Sequence, residues 1–374
     1  MARRTQVKKS LRNSAMSKAI YGRRFRIQRQ GARLRTLLAG ANALDAFLAY
    51  AFWMRFVLGF DGGGTKTDCV LMDESARILA QAQAGPSNPL RVGFGAAISS
   101  IREAARQAVS LAKVPDNLAA AAICAGLAGA GPAESAEKIR ALLAAEFPES
   151  KVEIRTDLDL ALAAAGDGPA IVLLAGTGSF AVGRNGAGET ARAGGYGSQI
   201  GDEGSAYDIG RRAVLTAMHE YDRTEADALL GQRLLRELCC ASWPEVQARA
   251  QAASDEVFPR LFSVVASLAD TNDSTAQDIL RAAAFDLAAL AQNLAERLHL
   301  RDTRFSLAKT GGMFGRCKFL ETELDELLRV SFPRAEIGAL RISPAEAAAR
   351  LALRLANSGG TAGGDAASRI PEGQ

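Results

Sequence analysis

The sequence predicts an α/β protein of two like domains facing one cleft. The first supporting observation is a strand–glycine turn–strand unit: apolar Phe56-Val57-Leu58-Gly59-Phe60 enters Asp61-Gly62-Gly63-Gly64-Thr65-Lys66-Thr67 and leaves through Asp68-Cys69-Val70-Leu71-Met72. The second is a repeat of that unit, 112 residues on when counted from Thr65 to Thr177: Ala170–Ala175 enters Gly176-Thr177-Gly178-Ser179 and continues as a strand over 180–184. A duplicated unit at this distance implies duplicated domains. After the first hairpin, apolar runs alternate with helical ones. A hairpin sheet extended by βαβ units is the arrangement of a ribonuclease-H-like domain.

Taken in order, strands are expected near 56–61, 68–73 and 77–84, and a helix over 94–113. A buried strand follows at 119–125, where Ala-Ala-Ala-Ala-Ile-Cys-Ala offers no polar face. A helix over 133–147 is closed by Pro148. Residues 151–156 alternate as a strand ending at Thr156-Asp157, with a helix after it. The pattern restarts at Gly166-Asp167-Gly168-Pro169. Beyond the second hairpin, residues 204–300 read as mostly helical, 304–310 as a strand entering Gly311-Gly312, and 344–356 as a last helix returning to the first domain. The expected division is a basic extension over 1–54, domain I over 55–167, domain II over 168–343, the returning helix over 344–356 and a disordered Gly/Ala/Ser-rich tail over 357–374.

The net charge of +4 conceals two different sequences. Residues 1–55 hold 13 of the 45 Lys and Arg but one of the 41 acids, Asp45, which leaves the rest at 32 basic to 40 acidic, a net of −8. The main body therefore gives no reason to expect a nucleic-acid partner. Residues 36–54 are mostly apolar, but a central Asp45 is costly in a membrane, and the long basic stretch with no clear cleavage site fits a signal peptide poorly. The expectation is that translation starts at Met54, with a disordered or amphipathic basic tail as the alternative, and that no membrane is involved. Five cysteines, Cys69, Cys124, Cys239, Cys240 and Cys317, show no metal-ligand spacing and fit a reduced, cytoplasmic chain. They also give no basis for an iron–sulfur cluster.

The glycine turns carry the chemistry. Successive backbone N–H groups in such a turn can cradle phosphate oxygens, and glycine leaves no side chain between backbone and ligand. The P-loop pattern fails because Thr65 stands where its lysine belongs and a strand follows. A dinucleotide fingerprint fails because no helix opens at the glycines. Asp61, at a strand end, is placed to hold a hydrated Mg²⁺, and the hydroxyls of Thr65 and Thr67 are placed for phosphate oxygens. Read structurally instead, the same residues make a plain glycine hairpin.

Taken together, Asp61-Gly-Gly-Gly-Thr-Lys-Thr67, Ser87-Asn88-Pro89, Thr156-Asp157, Ala175-Gly-Thr-Gly-Ser179 and Gly194-Gly-Tyr-Gly-Ser-Gln-Ile-Gly-Asp-Glu-Gly-Ser-Ala-Tyr207 resemble the BadF/BadG/BcrA/BcrD-type ATPases, and among them the N-acetylglucosamine and glucosamine kinases. The resemblance covers about residues 56–356. It implies the two-domain actin/hexokinase fold, closing on ATP and a sugar. It also implies ATP-dependent phosphorylation of an amino sugar at its 6-hydroxyl, N-acetylglucosamine first and glucosamine as the alternative. A different alternative within the same fold is the iron–sulfur ATPase that activates 2-hydroxyacyl-CoA dehydratases or benzoyl-CoA reductases.

Phosphoryl transfer to a sugar hydroxyl needs phosphate cradles, a metal and a carboxylate that takes the hydroxyl proton. Gly62, Gly63, Gly64, Thr65, Lys66 and Thr67 on one side, and Gly176, Thr177, Gly178 and Ser179 on the other, would hold the ATP phosphates, with Mg²⁺ at Asp61. Asp157 is the expected base and sugar contact, and it matches the family's catalytic aspartate. Asp159 is its rival, with a helix-dipole role as the structural reading. Asn88 resembles the family's sugar-binding asparagine and otherwise reads as a turn residue before proline. The loop with Tyr196 and Gly197 resembles the one that closes over the sugar, with Tyr196 where some members have tryptophan. Asp202 and Glu203 would bind sugar hydroxyls as a carboxylate pair, with helix capping by Asp202 as the structural reading. Gly311 and Gly312 resemble the adenosine-side glycines. His219 and His299 fall in helical stretches and read as surface or packing residues. Where the family often has Gly-Ala at the start of the last helix, this chain has Pro344-Ala345. A homodimer is the candidate assembly.

Overall fold

The computed structural model describes residues 55–115 and 119–358. The basic segment with its expected start at Met54, and the tail from 359 on, lie outside the described residues. Two five-stranded sheets organise the rest. The first runs in the order β3-β2-β1-β4-β5, from β1 (Phe56–Gly62), β2 (Thr67–Asp73), β3 (Ile78–Ala84), β4 (Ala122–Leu127) and β5 (Lys151–Arg155). The second runs β10-β9-β6-β7-β8, from β6 (Ala170–Ala175), β7 (Ser179–Arg184), β8 (Thr190–Gly194), β9 (Ser306–Thr310) and β10 (Glu336–Ala339). Five strands on, each strand repeats its predecessor's place. In both sheets the hairpin strands pair antiparallel and the two outer strands on the other side pair parallel. The duplicated hairpin is thus part of a duplicated sheet.

The central strands are apolar because both faces are covered. β1, β4 and β6 are buried almost throughout. β4 begins at Ala122 rather than 119, because its parallel register with β1 starts at Val57↔Ala122. Helix α1 (Pro89–Val92) is one turn after β3. Helix α2 (Phe94–Leu111) lies against β3 and β2, and α3 (Ala133–Glu146) against β5. Helix α4 (Asp157–Ala164) stands between the sheets. Its Leu160 packs into the first core, while Leu158, Ala161 and Leu162 pack with Val172, Val182 and Ala308 of the second sheet.

Five helices follow β8: α5 (Ala206–Thr224), α6 (Leu229–Glu237), α7 (Trp243–Val257), α8 (Phe262–Asp270) and α9 (Ser274–Arg297). They share one large apolar core with the second sheet. Helix α10 (Lys318–Ser331) joins β9 to β10, and α11 (Pro344–Asn357) crosses back to lie on β1. That crossing needs small residues on both sides. A Cβ at Gly59 would fall 2.0 Å from the backbone N of Ala349, and α11 presents Ala345, Ala348, Ala349 and Ala352 to the sheet. Pro344 at its start is harmless, since the first helical residue donates no intrahelical bond, and Ser343 caps the helix by accepting the Glu346 N–H at 3.1 Å. Among the described residues, no helix is long and apolar enough to cross a membrane.

Three elements were not anticipated: α1, β8 and β10. Each is short, and the two strands lie at the outer edges of the second sheet, where one side is unpaired and little apolar pattern is required.

Candidate active site

The first glycine turn closes between β1 and β2 with the Gly63 N–H donating to the Lys66 carbonyl at 2.9 Å. The second closes between β6 and β7 with the Gly176 N–H donating to the Gly178 carbonyl at 2.9 Å. In the ladders Thr67 pairs with Gly62, and Ser179 pairs with Ala175. Each turn therefore has one hydroxyl at its tip and one at its root. The tip threonines, Thr65 and Thr177, are exposed.

The root hydroxyls of Thr67 and Ser179 point inward and are hydrogen-bonded within the protein. Thr67 is fully buried, its Oγ1 lying 2.6 Å from the Gly85 carbonyl oxygen and 2.8 Å from Ser87 Oγ. Ser179 is 1% exposed and donates its hydroxyl to the Glu203 carbonyl at 2.7 Å. Both tie a turn to the loop beside it. Lys66 is likewise engaged, its Nζ 2.9 Å from Asp68 Oδ2 on the exposed side of the hairpin.

The loop carrying Asn88 is fastened to the first turn. Backbone N–H groups of Ser87 and Asn88 both donate to the Gly63 carbonyl, at 3.0 and 3.1 Å. Asn88 is the N-cap of α1: its Oδ1 accepts the Leu90 N–H at 3.0 Å. Its two readings coexist, since capping uses only the carbonyl end and the side-chain amide N–H groups take no part in it. Arg91, exposed and three residues on, lies against Gly64, where an added Cβ would fall 2.9 Å from its Nη1. Nothing in the pattern marked Arg91 beyond its nearness to Asn88.

Asp61 and Asp157 face one another electrostatically. Burial above all, then the charge of Asp157 and that of Asp68, push the Asp61 carboxyl up to about 7 against the pull of Lys66. Asp157 opens α4, and its Oδ1 accepts the Leu158 N–H at 3.1 Å. Asp159 is occupied otherwise. Its Oδ2 accepts the Thr156 N–H at 3.0 Å while its own N–H donates to Thr156 Oγ1 at 3.1 Å, a reciprocal capping box. It also lines a cavity of about 600 Å³ with Arg155, Arg184 and Arg354.

Asp202 and Glu203 direct their side chains to different neighbours. Asp202 adopts a left-handed backbone, φ 62°, that turns its carboxylate onto the second glycine turn. A Cβ at Gly178 would fall 2.6 Å from its Oδ2, and its Oδ1 accepts the Ser179 N–H at 3.4 Å. Burial, more than the neighbouring Glu203 charge, raises its carboxyl above the ordinary range, and the Ser179 N–H works the other way. Glu203 is exposed on the Tyr196 side of the loop, near Gly201. The capping role considered for Asp202 belongs to Ser205, which accepts the Asp208 N–H at 3.2 Å. Helix α5 is also docked on the second turn, with the Ala206 N–H on the Gly176 carbonyl at 2.9 Å.

Tyr196 is 65% exposed and Gly197 has φ 87°, in a loop that Arg192 holds through the Gly194 and Gly195 carbonyls. Gly311 and Gly312 lie beside the second turn. Gly311 has φ 115°, an added Cβ there would fall 2.2 Å from the Ala175 carbonyl oxygen, and the space over Gly312 is open.

No three His, Cys, Asp or Glu side chains converge as a metal-binding group among the described residues. Magnesium needs no such cage. It keeps most of its waters and takes one or two carboxylates plus substrate phosphates. A partly buried Asp61 at the strand end, its carboxyl shifted up by desolvation and the charge of Asp157, fits that requirement. The cysteines are scattered: Cys69 and Cys124 are buried in the first sheet, where burial pushes their thiols up, and Cys317 caps α10.

The model of the BadF/BadG/BcrA/BcrD ATPase family matches residues 58–349. An N-acetylmuramic acid/N-acetylglucosamine kinase of Clostridium acetobutylicum is 29% identical over 294 residues, covering 76% of this chain and 94% of its own. An N-acetyl-D-glucosamine kinase of Dictyostelium discoideum is 29% identical over 309 residues, covering 79% and 97%. Among solved structures, a protein of Chromobacterium violaceum assigned as an N-acetylglucosamine kinase superposes with a TM-score of 0.65 at 27% identity, covering 80% of this chain and 99% of that one.

Proposed function

The chain belongs to the BadF/BadG/BcrA/BcrD ATPase family, and from that premise we propose that it is an ATP-dependent sugar kinase that phosphorylates the 6-hydroxyl of N-acetylglucosamine. The observation that carries the reading is the pair of glycine turns on duplicated sheets, each with an exposed threonine at its tip, together with Asp157 placed to raise the proton affinity of Asp61. The names of the two relatives and of the Chromobacterium protein support the choice of sugar.

In this reading the backbone N–H groups of both turns and the hydroxyls of Thr65 and Thr177 hold the phosphates of ATP. Gly311 lets the chain pass close to Ala175, and Gly312 leaves open space for the adenosine side. Asn88, Tyr196, Gly197 and Glu203 contact the sugar. Asp157 accepts the proton of the 6-hydroxyl as its oxygen bonds to the γ-phosphorus and the bond to the β–γ bridging oxygen breaks, releasing ADP. Asp61 would hold Mg²⁺ through its waters, with Asp202 a second carboxylate at the other turn. The metal, when bound, supplies positive charge beside the phosphates. A reducing cytoplasm suits five free cysteines.

The test is ADP release over a panel of hexoses and hexosamines, with the phosphorylated carbon located by phosphorus–proton NMR coupling. N-acetylglucosamine should give the highest kcat/KM and a 6-phosphate. Preference for glucosamine would overturn the N-acetyl assignment, and no sugar-stimulated ADP release would overturn the kinase reading.

A further inference from the structure

We infer that Arg91 is the cation that meets the transferred phosphoryl group, a role that rests on the kinase reading above. Three observations converge on it. The guanidinium lies directly against the first glycine turn: an added Cβ on Gly64 would fall 2.9 Å from Nη1 and 3.4 Å from Cδ of Arg91. Arg91 is exposed and has no ion pair or side-chain hydrogen bond among the described residues. The lysine within the turn, by contrast, is paired with Asp68.

The backbone beneath Arg91 is held in register with the turn. Ser87 and Asn88 donate to the Gly63 carbonyl, Asn88 caps α1, and Thr67 meets Ser87 from below. Arginine presents fixed N–H donors that match phosphate oxygens, and it remains charged at any working pH. An arginine aimed where charge builds up in phosphoryl transfer acts on the transition state more than on ground-state binding. Asn88 lies three residues before Arg91, so the segment that contacts the sugar also carries the cation. Sugar and phosphate recognition are thereby joined in one short helix.

The experiment uses the full chain with Arg91→Met and Arg91→Lys, a sugar accepted by the wild type, and calorimetric titration with ADP and a non-hydrolysable ATP analogue. Arg91→Met should lower kcat by about 10²–10³, less than the largest arginine effects because the residue is exposed. Sugar KM should move by no more than about twofold, and the wild-type preference for the analogue over ADP should shrink by about tenfold. Arg91→Lys should fall between. Gly64→Ala should reproduce part of the loss in the wild type and add little in Arg91→Met, because both act on the same guanidinium. The melting temperature of Arg91→Met should stay within about 2 °C of wild type, as expected of an exposed side chain without partners.

A kcat within about threefold of wild type would overturn the inference. So would a raised sugar KM with unchanged nucleotide discrimination, since Arg91 would then read the sugar. The kinase reading fails separately: the wild type would bind the ATP analogue yet release no ADP with any sugar.

Discussion

Asp157 and Asp159 are two residues apart on one helix, and the fold gives them different work. Asp159 is committed to the capping box with Thr156, whereas the charge of Asp157 acts on the partly buried Asp61. Asp157→Asn keeps the shape and removes the basicity, so kcat should fall by about 10²–10⁴ with sugar affinity little changed. Asp159→Asn should keep near wild-type turnover and lose about 0.5–2 kcal/mol of stability through the weakened cap. Steady-state kinetics, sugar calorimetry and urea unfolding of both variants decide it; an active Asp157→Asn beside a dead Asp159→Asn would reverse the assignment. Asp61 makes a prediction with a definite sign. Its folded pKa, about 7, lies above the unfolded value of 3.8, so the folded state binds the extra proton between them. Without metal, stability should therefore fall as pH rises from about 4 to about 7, because the carboxylate ionises in a desolvated place beside the charge of Asp157. Asp61→Asn should remove that slope and be more stable than wild type above about pH 7, while losing magnesium-dependent turnover. Urea unfolding across pH with chelator present measures both; parallel pH profiles for wild type and variant would count against the assignment. Not all of this was legible in the sequence. The motif names Thr65 and Thr67 alike, but only the ladder pairing of Thr67 with Gly62 turns the second hydroxyl inward. Asp202 and Glu203 are adjacent in sequence, yet the left-handed backbone at Asp202 separates their side chains, and no periodicity encodes that.

The central strands were legible because their burial is nearly complete. Central strands such as Ala-Ile-Val-Leu-Leu-Ala at β6 have to be apolar on both faces, which leaves a short unbroken run in the sequence. Edge strands are under no such demand: β10 is Glu-Ile-Gly-Ala, with its glutamate, glycine and last alanine exposed. The returning helix is legible through its alanines, but the reason for them lies in β1. Gly59 lets the helix backbone approach until an added Cβ would meet Ala349 N at 2.0 Å. Since neither backbone can yield locally, Gly59→Ala should push α11 off the sheet and cost about 3 kcal/mol or more, the upper end of overpacking effects. Gly95→Ala, where nothing lies within 4 Å of the new methyl group, should be neutral or slightly stabilising. Chemical denaturation of the two variants side by side tests the contact, and equal midpoints would refute it.

At the scale of the molecule, the same sheet is built twice and used asymmetrically. Both copies retain the turn, the tip threonine and the root hydroxyl, but the carboxylate at Asp61 has Leu174 at the matching ladder position of the second copy. The second turn obtains its carboxylate from Asp202, outside the hairpin. Helix α4 joins the copies by burying Leu160 in one core and Leu158 in the other, and it places Asp157 at its start, where it influences Asp61. Both sheets, both glycine turns and the candidate site residues lie from β1 onward. β1 begins at Phe56 as the central strand of its sheet, and the family model's match begins at residue 58. The 13 basic residues of the first 55 all precede residue 58, where the family model's match begins. A chain beginning at Met54 should therefore fold with an unchanged melting temperature and keep the kcat and both KM values of the full chain. It should also elute earlier from a cation exchanger than from an anion exchanger, because the remaining body is acidic. Truncated protein that is insoluble, or soluble but slower with the same sugar, would assign the basic segment a part in folding or catalysis that nothing in the duplicated sheets requires.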